Sequence, residues 1–194
     1  DKGIEALQKV EVPAAWADAK DEAAATATDV PEFIRDIADV MNRQEGDKLP
    51  VSAFVGREDG TFPMGTARYE KRGIAVNVPE WQPESCIQCN QCSYVCPHAV
   101  IRPFLLNEEE VKNAPEAFVS KKATGKGFDG LNFRIQVSPL DCTGCGVCAK
   151  TCPAKQKALI MKPLETQLDQ VECWDYAMKL SPKENPMDKN TVKG

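Results

Sequence analysis

Apolar residues recur at helical spacing near the start of the chain. After Pro31, the residues Phe33, Ile34, Ile37, Val40 and Met41 fall on one stripe. The pattern predicts an amphipathic helix whose stripe is a packing face. Asp29 suits its N-cap, Pro31 its first turn and Gly46 its stop. The Ala- and charge-rich run from Ala19 to Thr28 reads as exposed helix or linker. Beyond Asp47, glycines and prolines break the chain into turns. Ile74 to Val78 then alternates as a short strand would, and so does Phe133 to Val137. Two further apolar runs are closed by proline: Ala99-Val100-Ile101 before Pro103, and Ala158-Leu159-Ile160-Met161 before Pro163.

Composition narrows what such a chain can do. A formal charge of -5 over 194 residues argues against nucleic acid as a partner. No apolar run reaches the roughly 18 residues of a membrane span, and no signal-peptide pattern follows Asp1. Since the chain starts on Asp1 and not on methionine, it reads as a segment of a longer polypeptide. Fourteen prolines imply long loops around a modest core, which bound metal would stabilise.

The nine cysteines change the picture most. Their odd number, without a secretory signal, speaks against a disulfide framework. Eight form two groups. Cys86, Cys89, Cys92 and Cys96, followed by Pro97, fit C-x2-C-x2-C-x3-C-P; Cys142, Cys145, Cys148 and Cys152, followed by Pro153, fit it again. Every cysteine and the proline recur 56 positions later, so the chain holds an internal repeat. Structural zinc uses separated pairs of cysteines, and three thiols in one loop suit it poorly. The pattern instead predicts two [4Fe–4S] clusters with electrons passing between them. Three thiolates at x2 spacing each take one iron of a cubane, and the intervening N–H groups tune its potential. The fourth cysteine lies about one helical turn further on. In two-cluster ferredoxins it ligates the other cluster, a general rule applied to this chain. One cluster is thus assigned to Cys86, Cys89, Cys92 and Cys152, the other to Cys142, Cys145, Cys148 and Cys96. Pro97 and Pro153 should end the short helices. The expected fold is α+β: a ferredoxin-like, pseudo-symmetric 2[4Fe–4S] core of two β-α-β halves. A long insertion from about 103 to 140 and irregular N- and C-terminal extensions complete it.

The remaining candidates have plainer readings. His98 suits an exposed turn and Cys173 a small buried hydrophobe. Trp81 should shield a cluster or pack the core; Trp16 and Trp174 read as core or interface residues. Glu70-Lys71-Arg72 reads as a solvated patch. Lys121, Lys122 and Lys126 read as a solvated loop, with a docking patch for an acidic electron carrier as the alternative.

The run from Val78-Pro79-Glu80-Trp81 through Cys86, Cys89 and Cys92 to Cys96-Pro97-His98-Ala99-Val100-Ile101-Arg102-Pro103-Phe104 resembles the pyruvate:ferredoxin (flavodoxin) oxidoreductases. So do Gly60-Thr61-Phe62-Pro63, Gly65-Thr66 and Tyr69-Glu70-Lys71-Arg72-Gly73, which resemble the family's short EKR domain. The resemblance implies four segments. They are 1–46, a helical leader ending a gamma-type domain; 47–84, an EKR-type linker domain; 85–165, the two-cluster domain; and 166–194, a tail leading to a thiamine diphosphate domain. It implies a homodimeric cytoplasmic parent in anaerobic pyruvate metabolism, oxidising pyruvate with coenzyme A. Thiamine diphosphate and a third cluster would lie elsewhere in that parent, with ferredoxin or flavodoxin as electron acceptor. No residue of this chain is then catalytic; its part is to relay electrons. A free-standing ferredoxin, a cluster domain of another oxidoreductase and a zinc protein are the alternatives.

Overall fold

The computed structural model describes residues 2–19, 30–184 and 190. The chain forms two compact units, Asp1–Tyr69 and Glu70–Gly194.

In the first unit, a short helix α1 (Lys2–Glu5) precedes a 3-10 turn at Ala14–Asp18. Trp16, in that turn, is exposed and packs in no core. The predicted amphipathic stripe is realised over a π-helical turn, Ile34–Ala38, that continues as α2 (Asp39–Asn42). Ile34 and Ile37 are its buried residues, whereas Met41 is largely exposed. Phe33 meets Phe62 edge to face at 5.3 Å, with the Arg57 guanidinium 4.8 Å above its ring. The helix stops before Gly46. Gln44 takes the left-handed conformation (φ 61°) just after α2, and Gly46 instead opens a 3-10 turn. The predicted N-cap Asp29 and residues 20–28 lie outside the described residues.

The second unit carries five strands and four helices among the described residues. β1 (Asn77–Trp81), α3 (Gln91–Tyr94) and β2 (Ile101–Leu106) come first. After α4 (Glu108–Lys112) and the two-residue β3 (Lys121–Lys122), β4 (Asn132–Val137), α5 (Val147–Thr151) and β5 (Leu159–Pro163) follow. Helix α6 (Gln170–Ala177) closes the unit. β1 pairs antiparallel with β5, Trp81 opposite Leu159. β4 lies between β2 and β3, with Ile101 opposite Val137. The core between them holds Val78, Ile101, Phe133, Ile135, Val137 and Leu159 together with Cys142 and Cys148.

Two strands depart from the sequence reading. β1 begins at Asn77, and of the alternating residues Ile74 and Val76 are exposed while Ala75 and Val78 are buried. Pro103 does not close its apolar run, because β2 continues to Leu106. A proline is tolerated there since β2 is an edge strand, paired on one side only.

β4 is buried on both faces. Phe133, Ile135 and Val137 enter the core, while Arg134 and Gln136 are buried towards α6. Arg134 donates to Gln136 Oε1 (2.6 Å), Gln170 Oε1 (2.6 Å) and the Val119 carbonyl. Its guanidinium lies 4.1 Å from the Phe118 ring centre and 5.9 Å from that of Trp81. Burial pulls its pKa down to about 10, against the opposing charges of Cys173 and Asp169.

α6 packs Cys173 and Ala177 onto Leu106 and Phe118 in a second core. Cys173 is fully buried, as a small hydrophobe would be. Arg102 covers the half-exposed Trp174 at 5.3 Å. Tyr176 donates to the Glu110 carbonyl, fixing α4 against α6. α4 is started by a capping box. The Asn107 side chain accepts from Glu110 N–H (2.8 Å), and the Glu110 carboxylate from Asn107 N–H (2.9 Å). Replacing Asn107 by alanine should cost about 1 kcal/mol, as loss of a side-chain N-cap does. Urea unfolding of the cluster-loaded chain should register it with no change in iron content.

Candidate functional site

Both cysteine loops follow one backbone plan. In the first, Gln88 (φ 58°) and Asn90 (φ 60°) are left-handed; in the second, Gly144 (φ 73°) and Gly146 (φ 71°) are. The pairs differ by the repeat's own 56 positions. Alternating right- and left-handed residues turn successive N–H groups to one side, making a nest suited to an anionic iron–sulfur centre. Gln88 N–H accordingly reaches Cys86 Sγ and Gly144 N–H reaches Cys142 Sγ, each at 3.4 Å.

The two copies meet the strain of this conformation differently. Glycine bears it freely, and at Gly144 it also admits close packing. A Cβ there would stand 2.9 Å from the Asn77 carbonyl oxygen and 3.2 Å from Ala75 Cβ. In the first copy, Gln88 is held by its surroundings. Its buried side chain donates to the Lys122 carbonyl (2.8 Å) and accepts from Thr124 N–H (2.9 Å) and Oγ1 (3.1 Å). The insertion thereby clamps the first loop. Sequence reasoning missed this, although a glutamine where the repeat has glycine was a signal.

The thiols gather in two cavities. Cys86, Cys89, Cys92 and Cys152 line one, together with Trp81 and Ile135. Cys96, Cys142, Cys145 and Cys148 line the other, together with the exposed His98 and Val100. Each cavity thus draws three cysteines from one repeat and one from the other. Ala158 N–H reaches Cys152 Sγ at 3.4 Å. Cys152 itself is extended (φ −52°, ψ 120°), as the residue before Pro153 must be, and α5 ends there.

This donor set suits a polynuclear sulfide centre. Among the described residues, no three His, Cys, Asp or Glu side chains form a group able to hold a single metal ion. A cubane sets its irons apart, with one thiolate on each. Burial raises the Cys92 thiol to about 12, with Cys86 adding to the effect and the Ser93 N–H opposing it. Burial likewise raises Cys148 to about 11 and lifts Cys142. Coordination to metal supplies the thiolate form that burial alone disfavours. Two buried polar atoms at the first cavity, Trp81 Nε1 and Asn90 Oδ1, have no hydrogen-bond partner among the described residues. The indole N–H is a donor suited to sulfur.

Glu70, Lys71 and Arg72 are exposed, as a solvated patch would be, but one of them also reaches across the fold. Lys71 pairs with Asp141, which also accepts from Ser138 Oγ (2.6 Å) and immediately precedes Cys142. Gly73 N–H donates to the Leu140 carbonyl at 3.0 Å. With Ala75 and Asn77 beside Gly144, this segment braces the second cysteine loop. Lys121, too, is not a plain solvated lysine: its ammonium donates to the carbonyls of Pro83 (2.7 Å) and Cys86 (3.1 Å).

Comparison with known proteins agrees with this geometry. A family described as a 4Fe-4S dicluster domain matches residues 85–156. The EKR family, a domain of unknown function, matches 19–75. The whole chain is 56% identical over 194 residues to a pyruvate-flavodoxin oxidoreductase of Enterobacter agglomerans. It is 57% identical over 196 residues to a pyruvate:ferredoxin oxidoreductase of Moorella thermoacetica. The chain matches an internal segment of the pyruvate:ferredoxin (flavodoxin) oxidoreductases. It spans 16% of the length of each of these two relatives, so it corresponds to a segment of them. It is also 46% identical, over 96% of its length, to part of a mitochondrial NADP(+) pyruvate dehydrogenase of Euglena gracilis, covering 10% of that protein. The chain is the stretch that joins an EKR region to a dicluster region. Among the described residues no helix is long and apolar enough to cross a membrane.

The loop geometry sets an order of sensitivity. Gly146→Ala should cost about 1–2 kcal/mol, the strain of a left-handed alanine, because its Cβ would meet open space. Gly144→Ala should cost more and lose iron, because its Cβ must also displace the Asn77 backbone. Iron per chain and thermal stability, measured side by side, check the order.

Proposed function

We propose that this chain is the internal electron relay of an enzyme that oxidatively decarboxylates pyruvate to acetyl-CoA, with ferredoxin or flavodoxin as acceptor. Two [4Fe–4S] clusters, when bound, supply one-electron storage at low potential. One is held by Cys86, Cys89, Cys92 and Cys152, the other by Cys142, Cys145, Cys148 and Cys96. The observation that carries this reading is the sorting of the eight thiols into two cavities of four, each completed by the other repeat.

The protein's own residues do three things in this relay. Their N–H groups at Gln88, Gly144 and Ala158 stabilise negative sulfur. Core residues such as Ile135 and Val100 keep water from the cavities. Cys92 in α3 lines one cavity and Cys96, two residues past its end, the other, while Cys148 in α5 and Cys152 at its end do the reverse, so each short helix ties the two centres together. No residue of the chain makes or breaks bonds of pyruvate. That chemistry, with thiamine diphosphate and a third cluster, belongs to other parts of a homodimeric cytoplasmic parent.

The core reads as pseudo-symmetric. β1-α3-β2 and β4-α5-β5 recur at close to the repeat spacing, and β1 pairs with β5 as β2 does with β4. We read residues 85–165 as the relay proper, 1–46 as the end of a preceding domain, 47–84 as the EKR-type linker and 166–194 as the lead into the thiamine domain. The relatives' names carry flavodoxin, ferredoxin or NADP(+), so the task read for this segment is transfer and not choice of acceptor.

The loaded chain should hold about eight irons and eight acid-labile sulfides. Zinc without sulfide would overturn the reading. Cys152→Ser should damage the cluster of Cys86, Cys89 and Cys92 while Cys173→Ser spares both. Spectra that resolve the two clusters decide between this outcome and local ligation.

A further inference from the structure

We infer that the cluster in the cavity of Cys86, Cys89, Cys92 and Cys152 is the easier of the two to reduce, and that Lys121 and Lys157 set this order. The inference rests on the ligation proposed above.

Reduction adds one negative charge to a cluster, so nearby cations and N–H donors favour the reduced form and raise the potential. The two cavities differ in how this charge is met. Beside the first, Lys121 of β3 donates to the carbonyls of Pro83 (2.7 Å) and Cys86 (3.1 Å). Lys157 donates to the carbonyl of Cys152, with a second bond to the Lys150 carbonyl at 3.0 Å. Two ammonium groups thus sit on the backbone of two cysteines of the same set, although one comes from each repeat. Neither pairs with a carboxylate in these bonds. Of the acids close by in sequence, Glu84 is exposed to water, where its field is screened, and the half-buried Glu80 accepts from the amides of Gln82 and Gln167.

Behind the cavity the wall adds to the same sign. The buried Trp81 N–H lines it without a partner among the described residues, and the Arg134 guanidinium lies over the same indole. Arg134 is hydrogen-bonded to neutral amides and a carbonyl, while the nearby Asp169 carboxylate offsets part of its charge.

At the second cavity the charge is balanced. Asp141 immediately precedes Cys142 and is held by Lys71 and Ser138, an ion pair of no net charge. Two of the N–H···S bonds follow the repeat, Gln88 on Cys86 matching Gly144 on Cys142, and Ala158 N–H adds a third on Cys152 at the first cavity. The repeat therefore supplies both centres with the same nest, and the lysines add the charge that distinguishes them most. In the singly reduced chain the electron should reside on the first cluster.

The test is a redox titration, followed by electron paramagnetic resonance, of the full chain carrying both clusters. An iron and sulfide count is taken first; a deficit there would fail the ligation reading itself, before any potential is measured. The unsubstituted chain should titrate in two steps. In K121Q/K157Q the higher step should move to more negative potential while the lower one stays. The arginine pair K121R/K157R, which keeps both charges, should leave both steps in place. K157Q alone, at an exposed position, should give a smaller shift of the same step. Movement of the lower step, equal movement of both, or movement of neither in the glutamine variants would overturn the inference.

Discussion

Each cysteine set is completed from the other half of the chain. Cys152 stands with the first loop and Cys96 with the second, so neither cavity exists until both repeats have folded together. This one constraint explains much of the rest. The insertion can be long because its ends are tied on both sides, by β2 and by β4, which pair with each other. β1 and β5, far apart in sequence, close the opposite side. The apolar core is small, and two of its buried members, Cys142 and Cys148, are themselves candidate ligands. Metal binding and folding are thus one process in such a unit.

The repeat builds two similar nests, and what was added to it makes them different. The insertion contributes Gln88's partners and the Lys121 contact to the first loop. The Glu70-Lys71-Arg72 segment contributes Lys71, Gly73 and Ala75 to the second. Each appended stretch braces one loop. For a relay this matters, because two identical centres in identical surroundings would give no preferred direction. A difference in potential needs a difference in environment, and here charge supplies it.

The metal chemistry was legible in the sequence because it is local. C-x2-C-x2-C-x3-C-P, twice, with a fixed offset, specifies loop, helix and stop within a dozen residues each. The strand at Phe133 to Val137, the helix stop before Pro153 and the buried character of Cys173 were legible on the same ground. The left-handed residues were half legible: Gly144 and Gly146 announce themselves, whereas Gln88 looks ordinary and is explained only by what holds it.

What the tertiary structure decided is everything that depends on contacts between distant residues. The alternation of Phe133 to Val137 marks a strand but cannot say that its polar face is covered by α6, so Arg134 and Gln136 are buried as well. Pro103 looks like a terminator until β2 is seen to lie at a sheet edge, where no donor is missed. Lys71 and Lys121 are long, charged side chains that sequence assigns to water. Their destinations, Asp141 and the carbonyl of Cys86, lie 70 and 35 positions away. Periodicity and motif spacing report the nearest neighbours along the chain. The partner that a lysine finds across the fold depends on how the strands pair, and that is a property of the assembled structure alone.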